Sequence, residues 1–509
     1  MADWIGYRWL AEQYHIDSVQ RFRVESEIGT VRRTIRSDGF VREIYTAVVR
    51  PAPTLAAHLT FALKHEGVHL EFLARLFHTI PSSELEKWIQ SELTGQYARR
   101  IGFLYEWLTD RLLSIDGIGG NYHDALDPKR YVTSVPVNNP RWRIRDNLPG
   151  NRNFCPLVHR TQVVTDTQNY NCAEKLQALE VEYGADILMR SAVWLTLKES
   201  RASFAIEHEE NQTDRIRRFA GVMERRCGKY ENPLARPSLE ELQREILGPR
   251  ATRYGLRQSP VFVGQSTLYG PYVDYIAPHW KQIDGMLEGL AHFLNATRAE
   301  SPIVRASVAS FGFVYIHPMA DGNGRISRFL VNDVLRRDGA VPRPFILPIS
   351  ATITDHAQNR VLYDAALETF SRPLMNRYQD AYRFGERRMY ADGVESDFDF
   401  DAYEDALYAW RYPDLTTHVE YMADVIDQTL RHEMRQEARY LRGLETARAG
   451  IKELVEGPNA DIDRIIRSFQ DNHGQLSNKL KKEFPLLAEL SLENQIAEIV
   501  HQAFGENGQ

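Results

Sequence analysis

Apolar residues recur at helical spacing along most of this chain, so the sequence predicts a mainly α-helical protein. The pattern is clearest in residues 54–77, in residues 173–210 and from residue 275 to about residue 390. Within the last stretch, two predicted helices carry apolar residues at Val304, Val308, Phe311 and Val314 and then at Ile326, Phe329, Leu330 and Val334. Such spacing places these side chains on one face of each helix. We therefore expect two packed helices joined by a short loop.

Shorter alternating or turn-rich stretches predict a few small β-elements. Asp38-Gly39 lies between alternating segments in residues 34–41, and Asp-Gly is a preferred hairpin turn. A second hairpin is predicted around residues 259–264. Residues 138–156 are rich in Pro, Asn, Gly and Arg, which predicts a long loop or linker.

The length of 509 residues exceeds that of an ordinary single core, so two or three domains are expected. We predict an α+β N-terminal region at residues 1–160, a helical core at residues 173–391 and a helical C-terminal region at residues 401–509. The acidic segment at residues 392–404 marks the second predicted boundary. The role of the N-terminal region does not follow from its sequence.

The composition is that of a soluble globular protein, with 43% hydrophobic and 26% charged residues. The chain has no apolar run long enough to span a bilayer, and its start lacks the basic and apolar pattern of a signal peptide. Three widely spaced cysteines argue against a disulfide framework or a zinc site. We therefore expect a cytoplasmic protein without a membrane partner. The net charge of −7 gives no general nucleic-acid footprint.

Residues 317–328, His-Pro-Met-Ala-Asp-Gly-Asn-Gly-Arg-Ile-Ser-Arg, concentrate the candidate chemistry in one segment. Its loop contains three consecutive residues suited to an anion cradle: Gly322, Asn323 and Gly324. Glycines let consecutive backbone N–H groups turn toward one point, and the second predicted helix places that point at a helix N-terminus. Arg325 and Arg328 share a face of this helix, where both can reach phosphate oxygens.

Two further side chains stand at the start of this segment. Asp321 lies directly before the cradle, where it can hold Mg²⁺ against the same phosphates. His317 ends the preceding predicted helix, which Pro318 stops, and histidine titrates near neutrality as a proton acceptor must. The segment thus predicts a triphosphate and magnesium site with a base beside it. The alternative is a plain helix corner with a buried histidine and solvated arginines.

The segment resembles the signature of the Fic family, His-Pro-Phe-x-(Asp/Glu)-Gly-Asn-Gly-Arg-x-x-Arg, except that Met319 replaces Phe. Methionine can fill the same hydrophobic anchor position. The resemblance covers about residues 180–390 and implies a Fic-type helical core with a small β-hairpin flap. It also implies transfer of AMP from ATP to a Tyr, Thr or Ser hydroxyl of a target protein, which could be the protein itself. His317 would then be the base, with Mg²⁺ on Asp321.

Two other parts of the chain fit the same resemblance. The segment Val261, Phe262, Val263 and Gly264 is similar to the flap that holds a target's extended chain as an added strand. Tyr363 lies in a stretch that resembles the segment closing over the nucleotide base, where it could stack on adenine. An ordinary surface hairpin and a buried core tyrosine are the alternatives. Asn332, one turn beyond Arg328, could support the phosphate site or face solvent.

A second motif concerns control of the site. Residues 203–208, within a predicted helix near residues 190–210, resemble the family's inhibitory motif, (Ser/Thr)-x-x-x-Glu-(Gly/Asn), with His208 where Gly or Asn is usual. Ser203 and Glu207 share a helix face, so Ser203 can steady the carboxylate. In the family this Glu reaches the second motif arginine, here Arg328, in place of the γ-phosphate. The resemblance implies self-inhibition, and a solvated acidic helix end is the alternative.

Two other functions stay open at this stage. The same site residues could serve removal of AMP, or transfer of another nucleotide or phosphate-linked group. A regulatory DNA-binding protein with a weakly active core is the second alternative. It rests on a predicted helix at residues 6–16 beside Arg32, Arg33 and Arg36, which is typical of a winged helix. An oligomer is compatible with either function.

The C-terminal region contributes to that DNA-binding alternative. Residues 461–484 contain two amphipathic segments joined by Asn472-His473-Gly474, which suggests a helix-turn-helix. Three lysines follow on the second segment, at Lys479, Lys481 and Lys482. Two short helices around a glycine turn are more often plain packing than a DNA reader, so we rank this alternative below the transferase.

Overall fold

The computed structural model of this protein describes residues 2–37, 39–207, 209, 212–249, 251–267 and 270–505, without the side chains of residues 265–267, 270 and 488. It is mainly helical with a few small sheets, as the helical periodicity predicts. Asp38 and His208 therefore lie outside the described residues. Within the described part of the chain, no helix combines the length and the apolar character that a membrane span requires.

The N-terminal region combines small sheets with short helices. Its strands are β1 (Trp4–Ile5), β2 (Val24–Gly29), β3 (Arg33–Ser37), β4 (Phe40–Thr46), β5 (His123–Asp124), β6 (Val137–Asn139) and β7 (Ile144–Asp146). Its helices are α1 (Tyr7–Tyr14), α2 (Leu55–Phe61), α3 (Leu70–Thr79), α4 (Ser82–Ser91), α5 (Gln96–Thr109) and α6 (Gln162–Asp166). The first sheet has the order β1-β2-β4-β3 and the second β5-β7-β6. The predicted hairpin is confirmed, because β3 and β4 pair antiparallel with Ser37 opposite Phe40.

Two N-terminal predictions are confirmed only in part. The helical pattern at residues 54–77 is interrupted by a π-turn at Ala62–Glu66 and by Gly67, whose φ of 103° a helix cannot accommodate. Residues 138–156 are largely loop, as predicted, but they are not a linker, because they contribute to β6 and β7 and bury Trp142 completely. The Trp142 ring packs against α5 at Gly102, where an added Cβ would lie 2.1 Å from the ring. The polar composition concealed this one large apolar anchor.

Glu66, at the end of the π-turn, offers a test of the N-terminal fold. One carboxylate oxygen accepts the Tyr7 N–H at 2.8 Å, and among the described residues the other has no hydrogen-bond partner. Burial raises the pKa of Glu66 from 4.5 to about 8. The folded protein therefore favours protonated Glu66. The stability that this group contributes is complete below pH 4.5 and is lost as the pH rises through about 8.

We expect Glu66→Gln to remove this loss, since glutamine keeps the acceptor for Tyr7 and never ionises. Urea unfolding should show the variant gaining stability over the parent at pH 9 but not at pH 5. The gain should be a few kcal/mol, since one pKa unit corresponds to about 1.4 kcal/mol. The exposed Glu12→Gln is the control. An equal difference at both pH values would contradict the prediction.

The central region is built around a pair of buried helices. Its elements are α7 (Cys172–Tyr183), α8 (Ala185–Ile206), α9 (Thr213–Arg226), α10 (Arg236–Leu247), β8 (Phe262–Thr267), β9 (Gly270–Ile276), α11 (Ile283–Ala296), α12 (Pro302–Ile316), α13 (Asn323–Arg337), α14 (Ile349–Asp355), α15 (Ala357–Tyr378), β10 (Tyr382–Met389) and β11 (Glu395–Phe400). Helix α12 is buried on almost every side, which is why its apolar residues extend around the helix. The predicted pair of helices is confirmed as α12 and α13.

The boundaries in this region differ from the predictions in two places. The helical stretch at residues 173–210 is divided at Gly184 into α7 and α8. The helical pattern also ends at Tyr378 rather than near residue 390, and the hairpin β10–β11 follows. Aromatic side chains alternate along this hairpin and pack across it, for example Phe384 on Phe398 at 5.6 Å. Three residues of the acidic segment, Glu395, Asp397 and Asp399, lie in β11, and Asp399 pairs with Arg388 at 3.1 Å.

The C-terminal region is helical, as predicted. Its helices are α16 (Tyr403–Arg411), α17 (Thr416–Gln428), α18 (Met434–Leu454), α19 (Asn459–Asp471), α20 (Asn478–Glu483) and α21 (Leu490–Gly505). Helices α16 and α17 and the beginning of α18 pack on the central core. The end of α18 and helices α19–α21 enclose a smaller core of their own. Lys481 on α20 pairs with Glu493 at 2.7 Å, so this lysine is engaged within the bundle. DNA binding stays a prediction.

Candidate active site

The loop between α12 and α13 is held by backbone contacts on both sides. His317 caps α12 in the left-handed conformation with φ 48°, and Gly322 precedes α13 with φ 86°. The Asn323 side chain closes the loop, because its oxygen accepts the Met319 N–H at 2.8 Å and its nitrogen donates to the Met319 carbonyl at 2.9 Å. Met319 is fully buried and bridges to Leu256. The N-terminus of α13 therefore has a fixed position, as an anion cradle requires.

The His317 ring is oriented by its own helix. Its Nδ1 lies 3.3 Å from the Val314 carbonyl oxygen, which can only accept, so Nδ1 carries the hydrogen and Nε2 is the free acceptor. Burial and the charge of Arg257 lower the pKa of His317 to about 4, against the opposite effects of the Val314 carbonyl, Glu207 and Asp321. At neutral pH the ring is therefore neutral and can take a proton at Nε2.

Arg328 is bound by the end of α8. Its Nη2 donates to Glu207 Oε1 at 2.6 Å and to the Ser203 carbonyl at 3.1 Å, and its Nε donates to the Ser203 hydroxyl at 2.6 Å. The structure thus brings together the three residues that the second motif singles out. Ser203 contacts the guanidinium rather than steadying the carboxylate, because the arginine occupies the space beside it. Burial raises the pKa of Glu207, but pairing with Arg328 outweighs it, and the pKa lies below 4.5.

The approach of Glu207 also explains a glycine in the cradle. An added Cβ at Gly324 would lie 2.0 Å from Glu207 Oε1, which is far inside contact distance. The missing side chain at this position therefore leaves room for an anionic oxygen above the first turn of α13. In the structure a carboxylate oxygen occupies that space.

Arg325 is paired with two carboxylates. Its Nη2 donates to Asp321 Oδ1 at 3.0 Å, and its Nη1 donates to Glu209 Oε2 at 3.2 Å. Glu209 in turn accepts from Arg215 of α9 at 3.2 Å. Glu209 is thus an ion-pair partner of the site that the sequence does not predict. No sequence signal separates it from its neighbours, because its partner lies 116 residues away.

Two buried polar side chains outside the His317 loop fix the backbone around the site. Gln243 of α10 donates to the Asp321 carbonyl at 2.8 Å and accepts the Gly255 N–H at 2.6 Å. Asn332 neither reaches the phosphate cradle nor faces solvent. It is buried, and its side chain exchanges hydrogen bonds with the Leu347 backbone at 2.8 Å and 3.2 Å. Asn332 therefore ties α13 to the segment that precedes α14.

Tyr363 lies on α15 close enough to Arg328 and Glu207 for both to affect it electrostatically. Its ring packs on Tyr421 with centroids 6.2 Å apart, and the Arg360 guanidinium lies 5.7 Å from its centroid. Burial raises its pKa, so the phenol stays protonated. Its position beside Arg328 is compatible with the predicted role in lining the nucleotide site.

The predicted flap is a longer hairpin than the sequence suggests. Val261 precedes β8, and its carbonyl accepts the Ala277 N–H at 3.0 Å, while Phe262, Val263 and Gly264 begin the strand. Phe262 packs inward on Phe398 at 4.8 Å, and Val263 is 42% exposed. Gly264 lies where the β8–β9 register shifts, and an added Cβ there would lie 2.0 Å from the Tyr272 carbonyl oxygen. Among the described residues, β8 pairs with β9 alone, so its outer edge is free.

Comparisons with known proteins agree with the signature. The model of the Fic/DOC family matches residues 233–335. Protein adenylyltransferase fic-1 of Caenorhabditis briggsae is 30% identical over 146 residues, which are 28% of this chain and 27% of the relative. Protein adenylyltransferase Fic of Drosophila mojavensis is 34% identical over 106 residues, 20% of this chain and 19% of the relative. The chain thus matches about a quarter of the length of these relatives.

One solved structure that this chain matches is a Fic domain containing signaling protein from Bacteroides thetaiotaomicron. It is 18% identical, with a TM-score of 0.35, and the match covers 55% of this chain and 97% of that protein.

Proposed function

Because this chain is a member of the Fic family through the domain at residues 233–335, we propose that it transfers AMP from ATP to a hydroxyl side chain of a target protein. The curated relatives carry the name protein adenylyltransferase, which supports this activity. Target proteins with an accessible Tyr, Thr or Ser are the proposed partners, and the protein itself is one candidate.

One observation carries the proposal. Two guanidinium groups, Arg325 and Arg328, lie on the first turns of α13 and are 4% and 5% exposed. A buried charge is costly unless an opposite charge accompanies it. Here three carboxylates, on Asp321, Glu207 and Glu209, meet that need. Two arginines at a helix N-terminus that attract three carboxylates are suited to a polyanion such as a triphosphate, which would take the place of carboxylates there.

The proposed transfer follows from the orientation of His317. Its Nε2 takes the proton from the target hydroxyl as the hydroxyl oxygen bonds to the α-phosphorus of ATP. The bond from that phosphorus to the bridging oxygen breaks, and diphosphate leaves with the electron pair. The arginines and the backbone N–H groups of α13 orient the triphosphate and offset the charge that develops on it.

The Asp321 carboxylate fits a role in holding Mg²⁺. It is 50% exposed, so a cation can reach it, and it already neighbours the cradle through Arg325. Mg²⁺ is commonly held by one or two carboxylates together with substrate phosphates and water. When bound there, Mg²⁺ would neutralise phosphate charge during the transfer. The described residues include no cluster of three metal-ligating side chains, so phosphates and water would supply the other ligands.

We further propose that the segment after α8 inhibits the site. Glu207 occupies the Arg328 fork, and an arginine paired with an internal carboxylate is not free for the γ-phosphate. Glu209 likewise occupies Nη1 of Arg325, which is then not free to bind phosphate. A single short segment therefore competes with ATP at both arginines. The free outer edge of β8 is the proposed docking site for the target's extended chain.

The direct test uses the Glu207→Gly protein with labelled ATP, UTP, GTP or CTP, followed by mass spectrometry of the protein and of candidate targets. Incorporation of AMP from ATP supports the proposal. Incorporation of a nucleotide from UTP, GTP or CTP instead would identify that nucleotide, and not ATP, as the donor. If none is incorporated and a modified target loses AMP instead, the site works in the reverse direction.

The Glu209 contact provides a separate prediction. We expect Glu209→Gln to raise the initial rate of transfer about two- to threefold, less than Glu207→Gly, because Asp321 still pairs with Arg325. The apparent KM for ATP should fall in parallel. Glu182→Gln is a matched control, since Glu182 is similarly exposed and pairs with Arg435 on the surface. An unchanged rate in Glu209→Gln would show that only Glu207 competes with ATP.

A further inference from the structure

Arg257 is a buried arginine between the flap and the His317 loop. It is 1% exposed, and all of its side-chain hydrogen bonds in the described structure go to backbone carbonyls. Its Nε donates to the His317 carbonyl at 2.7 Å and its Nη2 to the Ile316 carbonyl at 3.3 Å. Its Nη2 also donates to the Pro278 carbonyl at 2.6 Å, and its Nη1 to the Ser259 carbonyl at 3.1 Å.

The four carbonyls come from two parts of the site. Ile316 and His317 end α12, where the last carbonyls have no partner within the helix and carry the negative end of its dipole. Ser259 and Pro278 flank the flap, three residues before β8 and two residues after β9. The planar guanidinium has donors in fixed directions, so bonds to both parts constrain their relative position. Its own backbone N–H also donates to the Pro318 carbonyl at 2.9 Å.

Resting on the proposed function, we propose that Arg257 is a positioning residue that holds His317 in register with the flap. A target strand on the β8 edge would bring its hydroxyl to a place set by the flap, while proton transfer requires that hydroxyl within hydrogen-bond reach of His317 Nε2. Arg257 joins the two by bonding to the backbone of each. In the described structure none of its side-chain hydrogen bonds goes to the nucleotide cradle or to the two arginines there.

The charge of Arg257 has a second consequence. Burial lowers its pKa only to about 10, so the group stays positive at neutral pH. After burial, it is the main influence that lowers the pKa of His317, while the other charged groups near the ring, Glu207 and Asp321, act in the opposite direction. Removal of the charge should therefore raise the pKa of His317. A group that only supported the fold would leave that pKa unchanged.

The test compares Arg257→Gln and Arg257→Lys with matched changes at Arg305, a buried arginine near the other end of α12. Arg305 bonds to the Leu294 carbonyl at 2.9 Å and pairs with Asp338 at 3.1 Å. The first measurement is an NMR titration of ring-labelled histidine, with His317→Ala to assign the His317 signal. The pKa of His317 should rise in Arg257→Gln and stay near the parent value in Arg257→Lys. Both Arg305 variants should leave it unchanged.

The second measurement is the transfer rate in the Glu207→Gly background. Lysine keeps the charge but cannot bond to four carbonyls, so kcat should fall about tenfold in Arg257→Lys and about a hundredfold in Arg257→Gln. ATP affinity by calorimetry should not change. An unchanged His317 pKa in Arg257→Gln, or an unchanged kcat in a folded Arg257→Lys, would overturn the proposal. If Glu207→Gly transfers no nucleotide at all, the proposed function fails, and the NMR titration still decides the link between Arg257 and His317.

Discussion

Replacement of His317 by alanine is expected to lower AMP transfer by a factor of about 10² to 10⁴, the usual contribution of a general base. The His317 ring is the neutral group beside the cradle, and its Nε2 is the free acceptor. ATP affinity should be largely retained, because Arg325, Arg328 and the α13 N-terminus hold phosphate without the ring. Transfer of labelled AMP and calorimetric ATP binding measure the two effects separately.

The backbone at this position requires its own control. His317 has a φ of 48°, where alanine is strained and asparagine is tolerated. His317→Asn should therefore be as inactive as His317→Ala while keeping the loop intact. His15→Ala makes the same change at an exposed left-handed cap of α1 and should leave transfer unchanged. Full labelling by His317→Asn would rule out the ring as the base.

The second large effect is expected from Glu207→Gly. The loss of the carboxylate frees Arg328 for the γ-phosphate, and we expect the rate of transfer or self-modification to rise about tenfold, or about 1.4 kcal/mol. The expected gain in rate is modest because the Glu207 side chain is 36% exposed and solvent weakens its ion pair with Arg328. For the same reason the melting temperature should change little. Initial rates at sub-saturating ATP measure the gain.

Arg328 decides whether that gain has the proposed cause. The double variant Glu207→Gly with Arg328→Ala should lose the gain, since the freed arginine is what binds the phosphate. Because the pKa of Glu207 lies below 4.5, its pair with Arg328 is complete above that pH and is lost only as the pH falls through the lowered value. Inhibition should therefore persist from pH 8 to pH 5. If Glu207→Gly is no more active than the parent, self-inhibition by this residue is excluded.

The helices around the site could be predicted because their signals are local. Helical periodicity predicted α12 and α13, and the conformational freedom of Gly322 and Gly324 predicted the turn between them. Where prediction failed, a contact distant in sequence had replaced the local preference. Trp142 draws a polar, turn-rich segment into the N-terminal core, and aromatic packing across β10 and β11 turns a stretch with helical spacing into a hairpin.

By itself, the sequence determined the order of chemical groups in residues 317–328, since a histidine, a carboxylate, a Gly-Asn-Gly turn and two arginines lie within one short segment. It also predicted Ser203 and Glu207 on one helix face, whereas Glu207 directly follows the last residue of α8. Only the tertiary structure decided which partners these groups meet. Glu207 and Arg328 are 121 residues apart, Glu209 and Arg325 are 116 apart, and Arg257 reaches His317 across 60. Such pairings depend on how helices pack, and no local pattern of residues encodes the position of a distant helix.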